Sequence, residues 1–359
     1  VAMGMGFSIA AGALVSRSLG ARDRKAARRL AGSTMTLACG FLSLGAVVLI
    51  VLRRPIVRLL GAEDEVLEVS ADFLAITLAA PFLIFDEVLG LPGLDLGITG
   101  AALALALTRF TTAAMGYRFC VFVHDLVARP TWRAVTGDAR RVMNIAAPSG
   151  FAQMSTPVAN AILTAAISEY GASAVAGWAV VSRMTVLAFA GVLSLAGAIG
   201  GIFGQNYGAG LMHRVVRTYR DAVVFCVIYV GAIWAILYAA SGAISAGFSL
   251  SGEGAEVVHA FATLGAAGFL FAGCAFVATA AFNTLGRPLG ATLVNWGRDG
   301  LAVPAMLWLI AGVFEGPEGV VYAQAAGMAA AGVAAGWAGW LFVNRLAEQA
   351  DRSRAAMAG

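Results

Sequence analysis

In the apolar run from 289 to 313, the stretch "VNWGRDGLAVP" sets Arg298 beside Asp299. Charged groups in such a run are expensive to desolvate, so they are candidates for ion coupling or substrate contact. Adjacent residues on an α-helix point about 100° apart, so the two are not expected to face one cavity; one of them faces a polar cavity or a neighbouring helix. Gln153, Asn160, Thr164 and Asn283 could line a cavity and hydrogen-bond varied ligands, or could bond helix to helix. Phe151, Met154, Trp178 and Met184 supply either an adaptable apolar wall or core packing. Arg109 and Arg183 fit snorkelling or pairing between lobes, and His124, His213 and His259 fall at or near the ends of apolar runs.

Several kinds of chemistry have no residues to carry them. The single lysine, Lys25, follows an arginine, so no phosphate-binding Gly-Lys exists, and energy is expected from an ion gradient or from another subunit. His-Glu-x-x-His and Gly-x-Ser-x-Gly are missing, which argues against an enzyme. Cys39, Cys120, Cys226 and Cys274 sit in apolar runs without paired spacing and read as reduced packing residues, neither disulfides nor metal ligands. The net charge of +4 invites a nucleic-acid reading, but the cations cluster between apolar runs, where membrane orientation accounts for them.

The elements that position these residues follow from composition. With 60% hydrophobic and 12% charged residues and a mean hydropathy of +0.83, the chain carries more apolar surface than one soluble core hides, and the bilayer is its solvent. Ten apolar runs are each long enough to cross about 30 Å of hydrocarbon: about 1 to 16, 31 to 52, 66 to 86, 98 to 123, 142 to 168, 172 to 202, 221 to 247, 256 to 284, 289 to 313 and 319 to 345. Ten-residue alternating strands are absent, so the fold class is an all-α polytopic membrane protein. The 44 glycines suit close helix packing in lipid.

The chain repeats itself. "SRSLGARDRKAARR" from Ser16 aligns with "GQNYGAGLMHRVVR" from Gly204 at an offset of 188, with Gly20 on Gly208, Ala21 on Ala209 and Arg29 on Arg217. Gly208 and Gly210 permit a turn there, Gln205 and Asn206 satisfy helix-end carbonyls, and the cations fix orientation; alternatively the turn is a cytoplasmic gate where two lobes meet. Cationic loops put 17 to 29, 129 to 141, 205 to 220 and the C-terminal end on the cytoplasmic side. Three spans cannot connect the first two of these loops. The offset also jumps from 188 to 219 between Phe73 and "GITGAALA" at 97, a difference of 31 residues, about one helix and its turn. Both signs point to a twelve-span, two-lobed plan lacking its first and fifth spans, and the initial Val1 suggests that the natural start is lost. The expected organisation is an N-lobe of about four spans over 1–128, a cytoplasmic linker over 129–141, a six-span C-lobe over 142–346 and a cytoplasmic tail over 347–359.

"GQNYGAG" after a long apolar run, "FNTLGRP" at 282 to 288, "GITGAALA" at 97 and "GAEDEVLEVSADFLAI" at 61 together resemble the multidrug and toxic compound extrusion (MATE) family over essentially the whole chain. The resemblance implies two six-helix bundles facing one cavity in the cell inner membrane, and an antiporter that exports bulky, often cationic, organic compounds against proton or sodium flow. It implies no cofactor beyond the ion gradient, no ATPase subunit and no nucleic acid; the lipid bilayer and a small organic substrate are the partners, and a monomer is expected. Asp86 resembles the tail of the Asn-x-x-x-Asp pattern of proton-coupled members, although Phe82 stands where the Asn belongs. Sodium-coupled relatives carry a Glu past the proline of the span that begins the C-lobe; here "PSGFAQMSTP" has Gln153 and Ser155. A lipid-linked sugar flippase, favoured by several cations in the cavity, and a truncated remnant that inserts without transporting are the alternatives.

Overall fold

A membrane-spanning chain satisfies its backbone by helices. The computed structural model describes residues 2–51, 110, 113–114, 116–310 and 313–358. Among these residues the secondary structure is helical throughout: α1 (Ala2–Gly20), α2 (Arg24–Val51), a wide π turn (Arg118–Val123), α3 (Trp132–Ala152), α4 (Ser155–Ser168), α5 (Ala172–Ala188), α6 (Ala190–Gly208), α7 (Met212–Gly247), α8 (Glu253–Ala260) with a π turn (Phe261–Gly265), α9 (Gly268–Leu285), α10 (Pro288–Trp296) with a π turn (Gly297–Ala302), α11 (Val303–Ile310) and α12 (Glu318–Ala358). The expectations that fall on 52–109, including Asp86, Arg109 and the site of the offset jump, lie outside the described residues.

The apolar runs and the helices agree in place but not in continuity. Among the described residues, four helices are each long and apolar enough to cross a membrane, namely α1, α7, α9 and α12; the bent pair α5 and α6, which meet at 50°, makes a fifth. The run read as 142–168 is divided at Gln153 and Met154, that at 256–284 by the π turn at 261–265, and that at 289–313 by the π turn at 297–302. Hydropathy registers apolar length and is blind to an extra residue in a turn, so the divisions were not visible in it.

The repeat is visible in the element boundaries. Adding 188 to α1 gives Ala190–Gly208, the bounds of α6, and adding it to the start of α2 gives Met212, the start of α7. The chain forms two compact units, residues 1–30 with 136–359, and residues 31–135. In the first unit α9 is central: it packs against α12, α6, α7 and α10, while α1 packs on α6. Phe189, Phe203, Tyr219, Phe261 and Leu163 are fully buried in its core, with Phe189 stacked on Phe269 at 4.1 Å between ring centroids. At the end of α9, Gly286 takes φ +99° as the left-handed C-cap, and Pro288 follows as the first residues of α10 begin. The sequence signal "LGRP" is thus a helix stop followed at once by a helix start. Cys226 is buried and Cys274 half-buried, as packing residues should be, whereas Cys39 and Cys120 are exposed; all four are free thiols.

Candidate functional site

The first unit encloses a cavity of about 790 Å³, walled by α1, α4, α5, α6, α9 and the π turn before α11. Its walls are mostly apolar, with Trp178, Phe189, Phe269 and Phe276 among them; Gln153, Asn160, Asn283, Asn295, Gln324, several hydroxyls and the Arg298–Asp299 pair are its polar groups. That size and make-up suit a drug-sized organic molecule.

The pair departs from the expectation that only one of its members meets the cavity. Both line it, and each residue is only 4% exposed. They sit in the π turn Gly297–Ala302, which widens the helix, and the long Arg298 side chain folds back on its neighbour. Arg298 Nε donates to Asp299 Oδ1 at 2.6 Å, and Nη2 donates to Oδ2 at 2.8 Å. From α4, Ser155 Oγ and Thr156 Oγ1 donate to the same Oδ2 at 2.7 and 2.9 Å. Three of these contacts fall on Oδ2 and one on Oδ1, and the single proton of Ser155 is shared between Oδ2 and Ala152 O at 2.9 Å. Arg298 is not saturated: its Nη1 is buried without a hydrogen-bond partner, and its guanidinium carbon lies 5.1 Å from the centre of the Phe276 ring.

The other sequence candidates divide. Gln153, Asn160 and Asn283 line the cavity; Gln153 Nε2 also donates to Met5 Sδ at 3.2 Å, and Asn283 Oδ1 accepts from Ser149 Oγ at 3.0 Å. Thr164 does not line it, because its hydroxyl accepts the indole N–H of Trp178 at 3.2 Å, the helix-to-helix alternative. Phe151 stacks on Trp296 at 5.0 Å. Arg183 is exposed and is not a lining residue. The donors Ser155 and Thr156 were not singled out as ligands of an acid, since hydroxyls in an apolar span carry no signal of which helix they will meet.

Beyond Gly200 and Gly201, which line the cavity, α1 and α6 close on each other. A Cβ on Gly20 would strike the Gln205 backbone, one on Gly204 the Ser16 side chain, and one on Gly208 the Arg17 carbonyl. Ser16 and Gly20 are the repeat partners of Gly204 and Gly208, so the crossing is a pair of small residues four apart meeting its own copy. Gly208 therefore serves close approach, not the turn it was expected to permit; Gly210, at φ +72°, serves the turn. Asn206 Nδ2 donates one turn back to Ile202 O at 2.9 Å and leaves the helix end to the backbone, where Leu211 N donates to Asn206 O and Gly210 N to Tyr207 O. Arg17 Nη2 reaches Asn283 O at 3.4 Å, tying this crossing to a cavity residue.

A second hollow, of about 690 Å³, lies where α8 and α12 begin, lined by Glu253, Glu256, Glu315, Glu318 and His259. Among the described residues no group of His, Cys, Asp or Glu is arranged to hold a metal ion.

The MatE family model matches residues 1–115 and 148–305. An uncharacterized 21 kDa protein of Pseudomonas savastanoi is 27% identical over 175 residues, which are 49% of this chain and 58% of that protein, so the chain spans less than two thirds of that relative. The multidrug export protein MepA of Staphylococcus aureus is 22% identical over 90% of this chain and 78% of its own length. The crystal structure of the Vibrio cholerae MATE transporter VcmN in its bent form superposes with a TM-score of 0.82 at 22% identity, covering 97% of this chain and 86% of that one.

Proposed function

The chain belongs to the MatE family and is a transporter of that type, and from this premise we propose that it is a secondary antiporter of the cytoplasmic membrane. It exports small organic compounds, often cationic, in exchange for protons by alternating access, and it does so without a cofactor. The observation that carries this reading is the cavity: about 790 Å³, largely apolar, holding one buried acid and ending where α1 and α6 interlock. The interlocked ends carry Arg17, Arg22, Arg24 and Lys25 in one copy and Arg214, Arg217 and Arg220 in the other, which puts them on the cytoplasmic side. The C-terminal end, with Arg345, Arg352 and Arg354, shares that side. The interlock is then the shut inner gate, and the repeat provides two elements that rock apart.

Asp299 is the proton-coupling acid of this reading. Sodium is disfavoured because no acid occurs from Val142 to Ser168 to join it from α3 or α4. The flippase reading needs several cations in the cavity, and Arg298 alone among the described residues lines it.

The test is reconstitution of the chain in liposomes loaded with tetraphenylphosphonium. An imposed proton gradient should drive counter-movement of the probe, and Asp299→Asn should abolish that response while leaving the protein in the membrane. Movement driven by sodium alone would reassign the ion, and no movement with either gradient would sink the exporter reading.

A further inference from the structure

The pairing of Arg298 with Asp299 bears on how a proton and an organic cation come to exclude each other. A lone acid in a cavity carries −1 when empty and 0 when protonated, and the two cations compete for the one carboxylate. Here the empty acid is already neutralised. Arg298 bridges both of its oxygens, and the Ser155 and Thr156 hydroxyls lie within hydrogen-bond distance of Oδ2. No other charged side chain among the described residues lines the cavity. The elements packed on the π turn supply none either: α4, α10 and α11 contain no ionisable residue, and α12 contains none between Tyr322 and Arg345. Glu318 and Tyr322, at the start of α12, line the separate acidic hollow.

Protonation of Asp299 therefore removes the one counter-ion of a guanidinium that is 5% exposed and already has an unsatisfied N–H. A guanidinium left unpaired and buried is costly, and the cavity that Arg298 already lines is the space where that cost can be relieved. We propose that Arg298 is the resident counter-cation of Asp299, released by proton uptake, so that the cavity alternates between 0 and +1 and expels an organic cation by repulsion. Arg298 is in this sense a residue that sets coupling and charge specificity. The inference rests on the exporter reading above and adds to it the sign of the charge that a substrate meets.

Four proteins separate the possibilities, with binding of tetraphenylphosphonium to the purified full chain in lipid nanodiscs measured under alkaline and acidic conditions. The wild type should bind about tenfold more weakly when acidified, since one charge a few ångströms away changes affinity by about that factor or more. Arg298→Gln exposes a bare carboxylate; it should bind about tenfold more tightly than the wild type under alkaline conditions and fall to the wild-type alkaline level on acidification. Asp299→Asn leaves a permanent cation and should bind weakly at either pH. The double variant Arg298→Gln/Asp299→Asn should match the alkaline wild type and be insensitive to pH. Should Arg298→Gln fail to fold, the double variant, which leaves no buried charge unpaired, and Arg298→Lys, which keeps the cation but not the two-point pairing and should still bind the probe more weakly on acidification, decide the matter. Arg298→Gln binding no more tightly than the wild type, or a double variant that keeps the pH response, would overturn the proposal. If the wild type antiports the probe yet the charge series fails, only the role of Arg298 falls; if the wild type neither binds nor moves it, the exporter reading falls as well.

Discussion

The turn after α1 and the turn after α6 have the same backbone and different side chains. In the first, Arg22 N donates to Leu19 O and Asp23 N to Ser18 O; in the second, Gly210 N donates to Tyr207 O and Leu211 N to Asn206 O. Each pair of bonds is the same helix-ending motif displaced by 188 residues. It requires a left-handed residue, and Arg22 takes φ 60° where Gly210 takes φ 72°. The first copy bears a side chain in a conformation that suits glycine, yet starts its next helix with a cap, Asp23 Oδ1 accepting from Ala26 N at 2.9 Å. The second copy has the glycine and, at Leu211, no side-chain cap. The fold thus demands the backbone path twice and leaves each copy to stabilise it by different means.

Substitutions that exchange these means test the equivalence. The largest effect is expected at the shared crossing, where Gly208→Leu and its partner Gly20→Leu should each lower stability by about 3 kcal/mol through overpacking, read as a drop in the melting transition of the purified protein. A clear inequality between the two would break the symmetry argued for α1 and α6. Removing the cap with Asp23→Ala should cost about 1 kcal/mol in the same assay, whereas Leu211→Asp should recover a similar amount in the second copy. Exchanging the left-handed residues should have opposite signs: Gly210→Arg destabilises by about 1 kcal/mol, and Arg22→Gly stabilises by about 0.5 kcal/mol once the extra freedom of the unfolded glycine is subtracted. The smallest effect is expected for Gly12→Leu, since Gly12 lines the cavity and nothing lies within 4 Å of a Cβ there; only helix propensity changes, by less than about 1 kcal/mol.

How far these features were legible in the sequence depends on their range. The helix stop at Gly286 and start at Pro288 are local chemistry and could be read directly. Among the described residues the apolar runs overlie the helices long enough to span, and the 188-residue offset matched both ends of α1 to α6 and the start of α2 to that of α7. The π turn at 297–302 could not be read, because one residue more per turn leaves hydropathy unchanged. With a regular helix assumed, Arg298 and Asp299 had to point apart; with the wider turn they pair and share the cavity wall. For Thr164 the sequence left two roles open for a related reason: a hydroxyl in a span bonds to whichever group the neighbouring helix offers, and here that is the Trp178 indole.

What the sequence determined by itself is whatever depends on composition and on neighbours along the chain: a helical membrane protein, its repeat, its helix stops, and the poverty of charge that makes Arg298 and Asp299 conspicuous. The tertiary structure decided the rest, because close approach and partner choice are relations between distant segments. Gly204 and Gly208 became a crossing point only when α1 lay on α6, and Asp299 acquired its hydroxyl donors only when α4 came beside the π turn.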